Sequence, residues 1–295
     1  DRNYYYMPYT ALISNLRALP QETLTSDQRE ALLSLLDYLE EPSPYALYLL
    51  TGYAGTGKTY LLRSITEAAT KAGLHVELMA STGRAAKVLT GATGRQASTI
   101  HRTIYRASTQ LQEEGGSFQL GRASGGRPTL FIVDEASMIS GDTGEVTPFG
   151  SGNLLDDLLA YVWSADESKL ILVGDTAQLP PVGTPLSDAL NAEVLTSRYG
   201  LGVYGTELRE VVRQKKGGIL HNATQLRELL EDSADLDPEE LLPIHLETEG
   251  WRGIFAVEPG EFINTIDEAY RRYGMEECLV ICPSNKKALE CNHAI

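Results

Sequence analysis

Six residues of this 295-residue chain are equipped to grip a phosphate: Gly52, Gly55, Thr56, Gly57, Lys58 and Thr59. From Gly52 to Thr59 the stretch satisfies G-x-x-x-x-G-K-[ST] at every fixed position. The glycines let backbone N–H groups turn inward around an anion, and the helix that follows adds partial positive charge at its N-terminus. Lys58 can then reach β- and γ-phosphates, and the Thr59 hydroxyl can ligand Mg²⁺. An ordinary glycine turn before a helix is the bland alternative. Average residue usage produces the full pattern in only about one per cent of chains this long. The stretch predicts binding of a nucleoside triphosphate.

A second group is Phe131-Ile132-Val133-Asp134-Glu135, an apolar run ending in two carboxylates. Downstream of a phosphate loop, the first acid at such a strand end holds the Mg²⁺ shell. The next, Glu135, is placed to orient and deprotonate an attacking water. Both acids would also suit the N-terminus of a following helix; the upstream loop favours the chemical reading. A third group is Leu172-Val173-Gly174-Asp175-Thr176-Ala177-Gln178, followed by Pro180-Pro181. Gln178 can hydrogen-bond both a terminal phosphate and water, although Gly and Pro-Pro here also serve as plain turn chemistry.

These groups need a scaffold, and the periodicity supplies one. Tyr45–Leu50 is a continuous apolar run, as in a strand buried on both faces. Leu61, Leu62, Ile65, Ala68 and Ala69 recur at helical spacing up to Gly73. Thr25–Gln28 opens a helix to about Glu40, with Leu32, Leu33, Leu35, Leu36 and Leu39 as its apolar face. Strands are expected at 75–80, 129–133 and 169–173, a helix at 83–89 and a further short helix over 97–105. Residues 109–120 read as a projecting β-hairpin, and 141–152 as a Gly/Thr/Pro-rich loop. Beyond Gly205 come helices at 219–230 and 261–273, then the strand-like run Leu279–Ile281 ending at Cys282. Alternating strands and helices predict an α/β fold with a parallel sheet. The boundaries are residues 1–205, with an inserted hairpin at about 106–128, and residues 206–295. The Tyr-rich start, Tyr4 to Tyr9, is expected to pack against the domain.

Composition bounds the rest. Hydrophobic residues at 42% and charged residues at 22% suit a globular protein, and no apolar run approaches the ~18 residues of a membrane span. The net charge of −15 is unevenly spread. Residues 228–250 hold nine acids and no Lys or Arg, whereas 81–106 hold Arg84, Lys87, Arg95, Arg102 and Arg106 with no acid. Cys278, Cys282 and Cys291 lack zinc-like pairing and read as reduced thiols, so a cytoplasmic location is expected. The chain starts at Asp1 without Met and reads as a piece of a longer protein.

The Gly174–Gly183 string resembles motif III of superfamily 1 helicases, and other stretches are similar to the 5′→3′ (1B) group of RecD-like and Dda-like enzymes. Leu24–Arg29 resembles the adenine-reading Q motif, with Gln28 as base contact, although Thr25-x-x-Gln28 is also a capping box. Ala80–Lys87 resembles motif Ia, and Ser98–Arg102 the next DNA-contact motif. Leu208–Gln214 resembles motif IV, whose last arginine is Arg213, with Arg209 as the alternative. Cys282–Lys287 with Asn292 resembles the opening of later motifs in the second motor domain; the final Gln-Gly and arginine motifs find no match before Ile295.

The resemblance implies a RecA-like ATPase domain followed by part of a second, with ATP and Mg²⁺ as cofactors and Thr59 and Asp134 on the metal. Lys58, Asp134, Glu135, Gln178 and the arginine finger Arg213 would carry hydrolysis. Thr82, Arg84, Lys87, His101 and Arg102 would contact single-stranded DNA, a duplex with a 5′ tail being the substrate. A solvated basic face is the alternative for that stretch. The hairpin would separate strands. The activity implied is that of an ATP-driven helicase, or failing that an ATP-dependent DNA-binding switch or loader. Residues 1–295 alone would bind ATP·Mg weakly and hydrolyse it poorly.

Overall fold

The computed structural model describes residues 8–107, 118–141, 148–181, 183–184, 186–212, 217–232 and 244–294. The chain divides into two compact units, Asp1–Gln214 and Lys215–Ile295.

The first unit opens with helices α1 (Thr10–Arg17) and α2 (Ser26–Glu40), then strand β1 (Ala46–Gly52) and helix α3 (Lys58–Lys71). Strand β2 (His75–Ala80), helix α4 (Gly83–Thr93), strand β3 (Ala97–Thr99) and helix α5 (Ile100–Ile104) follow. Next come the short strands β4 (Tyr105–Ala107) and β5 (Phe118–Leu120), then β6 (Thr129–Asp134) and α6 (Leu154–Val162). Strand β7 (Ser168–Gly174), helix α7 (Ala192–Ser197) and strand β8 (Gly202–Leu208) complete it.

Six strands form one parallel sheet in the order β3-β2-β6-β7-β1-β8. Side chains alternate between its faces because a strand has a period of two. Tyr48, Leu50, Leu130, Ile132, Ile171 and Val173 join a core under α1, α2 and α3. Leu47, Leu49, Phe131, Val133, Leu170 and Leu172 join a second core on the opposite face, under α5 and α6. Both faces are covered, which is why these strands read as unbroken apolar runs. Tyr9 is buried as expected of a packed N-terminus, its hydroxyl donating to Thr129 O at 3.1 Å and Glu167 O at 2.6 Å. Residues 1–7, with the rest of the tyrosine run, lie outside the described residues.

Several expectations are corrected. Leu33 is not on the buried face of α2 but 64% exposed; the 3.6-residue period carries it past the stripe made by Leu32, Leu35, Leu36 and Leu39. The short helix expected over 97–105 is a strand, a five-residue helix and a second strand, because β2 offers Ala97–Thr99 an edge to pair with. The hairpin ladder pairs Tyr105–Ala107 antiparallel with Phe118–Leu120; residues 108–117, most of the expected hairpin, lie outside the described residues. A boundary after Gly205 would fall inside β8, whose residues Gly202–Leu208 all pair with β1, and the compact unit runs on to Gln214.

In the second unit, α8 (Gly218–Asp232), α9 (Phe262–Tyr273) and α10 (Asn285–Ala294) are the described helices. The Asn222 amide and the Glu247 backbone exchange hydrogen bonds of 2.9 and 2.7 Å, fastening the chain near Glu247 to α8. The Trp251 ring stacks on His221 with centroids 5.0 Å apart. The run Leu279–Ile281 forms no strand; Ile281 is 87% exposed, since no neighbouring strand supplies ladder partners among the described residues. Cys282 and Cys291 are free thiols with their sulfurs 3.7 Å apart.

Candidate functional site

The loop after β1 turns on Gly55 (φ +83°) and Gly57 (φ +93°), left-handed conformations that glycine adopts without a Cβ penalty. Gly57 has a second constraint, because a Cβ there would land on the Gln28 side-chain nitrogen. Gly52 is excluded from growth by packing instead: its Cβ would lie 2.5 Å from the Leu208 carbonyl oxygen. Thr56 is buried and donates its hydroxyl to Tyr53 O at 2.8 Å. Lys58, the first residue of α3, folds its Nζ back onto Gly52 O (2.6 Å) and Tyr53 O (3.0 Å). Thr59 is exposed beside it.

Gln28 performs the capping role in full. Its N–H donates to Thr25 Oγ1 at 3.2 Å and its Oε1 accepts from Thr25 N at 3.1 Å. The same side chain donates Nε2 to Thr56 O at 3.0 Å, tying the start of α2 to the phosphate loop.

The strand order decides what faces the loop. β7 lies between β1 and β6, with Thr51 opposite Gly174 and Leu172 opposite Val133. Three neighbouring strands thus end side by side in the loop, in Gly174-Asp175, and in Asp134-Glu135. Burial raises the Asp134 carboxyl above its ordinary range, opposed by the Glu135 N–H that it accepts at 3.0 Å and by Lys58. Burial also raises Glu135, helped by the charge of Asp134 and opposed by Lys58; Asp175 pushes it up further and a hydrogen bond with Gln178 pulls it down. Lys58, Asp134 and Glu135 are therefore within electrostatic reach of one another, and Gln178 is within hydrogen-bonding reach of Glu135.

Glu135 has left-handed backbone angles (φ 55°, ψ 42°), which cost a non-glycine residue about 1 kcal/mol. It makes no capping bond to the three-residue turn that follows, so helix-start chemistry does not account for it. Strain of this kind marks positions where the surroundings dictate side-chain direction. Asp175, which the sequence reading passed over, is buried and accepts the Ala177 N–H at 3.0 Å, while its carbonyl accepts from Gln178 N at 3.1 Å. That Asx-type turn presents Gln178 to Glu135. A strand ending in Gly-Asp three residues before a Gln was the available signal.

The DNA-contact candidates leave the same edge of the sheet, on α4 and α5 beyond the ends of β2 and β3. Arg84, Lys87 and Arg102 are all exposed. Thr82 and Thr99 cap the two helices, accepting from Ala85 N and Arg102 N at 3.2 Å each. Thr82 therefore has a structural duty besides any approach to sugar or base. His101 is not an open side chain: it is half-buried in an aromatic cluster, 5.0 Å from Phe149 and 5.6 Å from Tyr105, and burial lowers its pKa. Phe149 also stacks on Phe118 at 4.8 Å, and Phe118 N and Gly150 N bond the facing backbone at 2.7 and 2.9 Å. The loop after Glu135 is thereby bound to the hairpin base, a link with no local sequence signal. Arg213 lies outside the described residues.

The site fits a triphosphate with a small divalent metal. The turned glycines form the cradle, and Thr59 and Asp134 offer oxygen donors, the type Mg²⁺ prefers with few protein ligands. Among the described residues no three His, Cys, Asp or Glu side chains converge as metal ligands. Asp134 is held above its ordinary pKa in the folded state, so its contribution to stability is full below the unfolded value and lost as pH rises through the folded one. Asp134→Asn is therefore expected to melt above wild type at pH 7.5, with the difference vanishing near pH 4; thermal melts at both values check this.

A phosphate loop facing an acid pair across one intervening strand is the arrangement of phosphate-loop nucleoside triphosphatases, and this unit has their fold. A family model described as an AAA domain matches residues 23–237. The chain belongs to that AAA domain family, on the RecD-like side of superfamily 1B that its motifs resemble.

The ATP-dependent RecD2 DNA helicase of Deinococcus radiodurans is 34% identical over 62% of this chain and 23% of its own length. The ATP-dependent DNA helicase dda of enterobacteria phage T4 is 29% identical over 70% of this chain and 43% of its own. The crystal structure of Pif1 helicase from Candida albicans aligns with 91% of this chain and 60% of that one, at 21% identity and a TM-score of 0.44. The chain spans less than half the length of the two helicase relatives it matches. No helix among the described residues is long and apolar enough to cross a membrane.

Proposed function

We propose that this chain is the ATPase-bearing part of a cytoplasmic DNA helicase motor that moves 5′→3′ on single-stranded DNA and opens a duplex carrying a 5′ tail. The observation that carries the reading is the convergence of Lys58, Asp134, Glu135 and Gln178 at one sheet edge, with the exposed cations of α4 and α5 leaving that same edge. In this reading Lys58 moves from its loop carbonyls to the β/γ-phosphates, and Gln28 contacts the adenine while keeping its cap. Thr59 and Asp134 would hold Mg²⁺, which when bound supplies charge neutralisation on the phosphate oxygens. Glu135 orients the water and takes its proton, and Gln178 links that carboxylate to the turn at Asp175. Arg213 is the arginine finger. The unit Lys215–Ile295 belongs to a second RecA-like domain, and the hairpin built on β4 and β5 acts as the strand-separating pin.

The test is ATP turnover by the full-length protein with and without single-stranded DNA, alongside binding titrations at several salt concentrations. Strong stimulation supports a motor; unstimulated turnover would leave a DNA-binding switch or loader. Neutralising Arg84, Lys87 or Arg102 is expected to weaken binding equally for all sequences and to flatten the salt slope by about one phosphate contact each. An unchanged slope would make the stretch a solvated basic face.

A further inference from the structure

The turn after Glu135 takes its hold from a residue far along the chain. Ala136–Met138 form a single three-residue turn, closed by Met138 N to Glu135 O at 3.3 Å and Ile139 N to Ala136 O at 3.1 Å. Two bonds of that length fix a lone turn poorly. Ser187 supplies the rest. Its hydroxyl lies 3.0 Å from Ala136 O and 2.8 Å from Ile139 O, sharing one proton between the two carbonyls. Ser187 is 1% exposed, and Ala136 and Ile139 are fully buried. The same oxygen accepts Ala189 N at 3.3 Å and so starts a second three-residue turn, Asp188–Leu190. Both turns rest on the end of β7: a Cβ at Gly174 would come within 2.7 Å of Leu190 Cδ1 and 3.2 Å of Ser137 N. Glu135 keeps its left-handed angles next to this assembly, a strained state that persists only where the surroundings over-determine it.

We propose that Ser187 is a positioning residue for ATP hydrolysis: its hydroxyl clamps the turn from Ala136 to Ile139, and so holds Glu135 in the strained backbone conformation that directs its carboxylate to Gln178. This rests on the reading of the protein as an ATPase with Glu135 as its base. Gln178 holds Glu135 from the side-chain end, and Ser187 holds it from the main-chain end. Ser187 touches neither nucleotide nor water in this scheme. Removing its hydroxyl strips a donor from two buried carbonyls, and the turn is free to relax. The carboxylate is then misplaced at the transition state, while the phosphate loop, on another strand, still binds ATP in the ground state.

The experiment is steady-state ATP turnover by the full-length protein at saturating single-stranded DNA, with a melting curve for each variant. Ser187→Ala is expected to lower kcat about tenfold with KM for ATP within about threefold, as for a displaced rather than deleted catalytic group. Ser187→Thr, which keeps the hydroxyl, should recover most of that loss. In a Glu135→Gln background, Ser187→Ala should cost nothing further, because residues acting as a unit are not additive. Wild-type kcat in Ser187→Ala, even with a lowered melting temperature, would overturn the proposal. Equal losses in the Thr and Ala variants, a loss carried by KM, or multiplied losses in the double variant would do the same. Should Ser187→Ala not fold, Ser187→Cys takes its place, filling the same space with a thiol that donates only weakly. Lys58→Ala and Glu135→Gln run in parallel. Wild-type turnover in the first would sink the ATPase reading, and in the second the choice of base, each taking this inference with it. Severe losses in both beside a normal Ser187→Ala would sink this inference alone.

Discussion

Lys58→Ala is expected to reduce ATP turnover by the full-length protein roughly 10³-fold, the scale of removing a preorganised charge from a transition state. Three effects act together. The charge that would meet the β/γ-phosphates is lost. The two bonds to Gly52 O and Tyr53 O that brace the loop are lost as well. Lys58 also opposes the rise in the pKa of both Asp134 and Glu135. Without it both carboxyls move further up, which weakens the metal ligand and shifts the base toward its protonated form at a given pH. The measurement is nucleotide affinity and turnover in the same preparation, with a melting curve to show that the fold survives. Near-normal values for both would remove the phosphate-loop assignment.

Glu135→Gln should separate binding from chemistry. Gln is nearly isosteric, so the left-handed backbone at this position and the packing around it are undisturbed, and ATP affinity is expected to stay near wild type. Turnover is expected to fall by roughly 10²-fold or more, the usual contribution of a general base. The pH profile supplies an independent signature. Burial and the charge of Asp134 raise the Glu135 carboxyl, so wild-type turnover should fall, on lowering pH, at a value above the ordinary carboxylate range. Asp134→Asn removes one cause of that rise and should move any residual turnover's acid limb downward. Normal hydrolysis by Glu135→Gln would place the base elsewhere and leave the strained backbone at Glu135 without a chemical reason.

Both predictions start from stretches that local spacing made readable. The phosphate loop is legible because glycine conformations, the lysine and the helix start all fall within eight consecutive positions. The buried strands are legible because burial on both faces leaves an uninterrupted apolar run, and the α2 capping box because its bonds span three residues. Misreadings arose where a non-local partner overrode local preference. Ala97–Thr99 reads as helix until β2 is there to pair with it. Leu279–Ile281 reads as strand, yet no strand neighbours it among the described residues. The packing of Phe149, distant in the chain, against His101 is likewise a contact that local spacing does not foretell.

The sequence by itself determined the class of fold, the triphosphate loop, the acid pair and the glutamine turn, because each is encoded in residues close along the chain. Only the tertiary structure decided that β7 lies between β1 and β6, and so that Asp175 and Gln178 stand beside Glu135 while Lys58 influences both acids. It alone showed that Asp27 reaches across 182 residues to Arg209, and that Gly150 N bonds Phe118 O at 2.9 Å, joining the loop after Glu135 to the hairpin base. Strand order and such long-range hydrogen bonds depend on which surfaces bury one another once the chain has collapsed. The periodicity of a strand fixes which face a side chain takes, but not which strand becomes its neighbour.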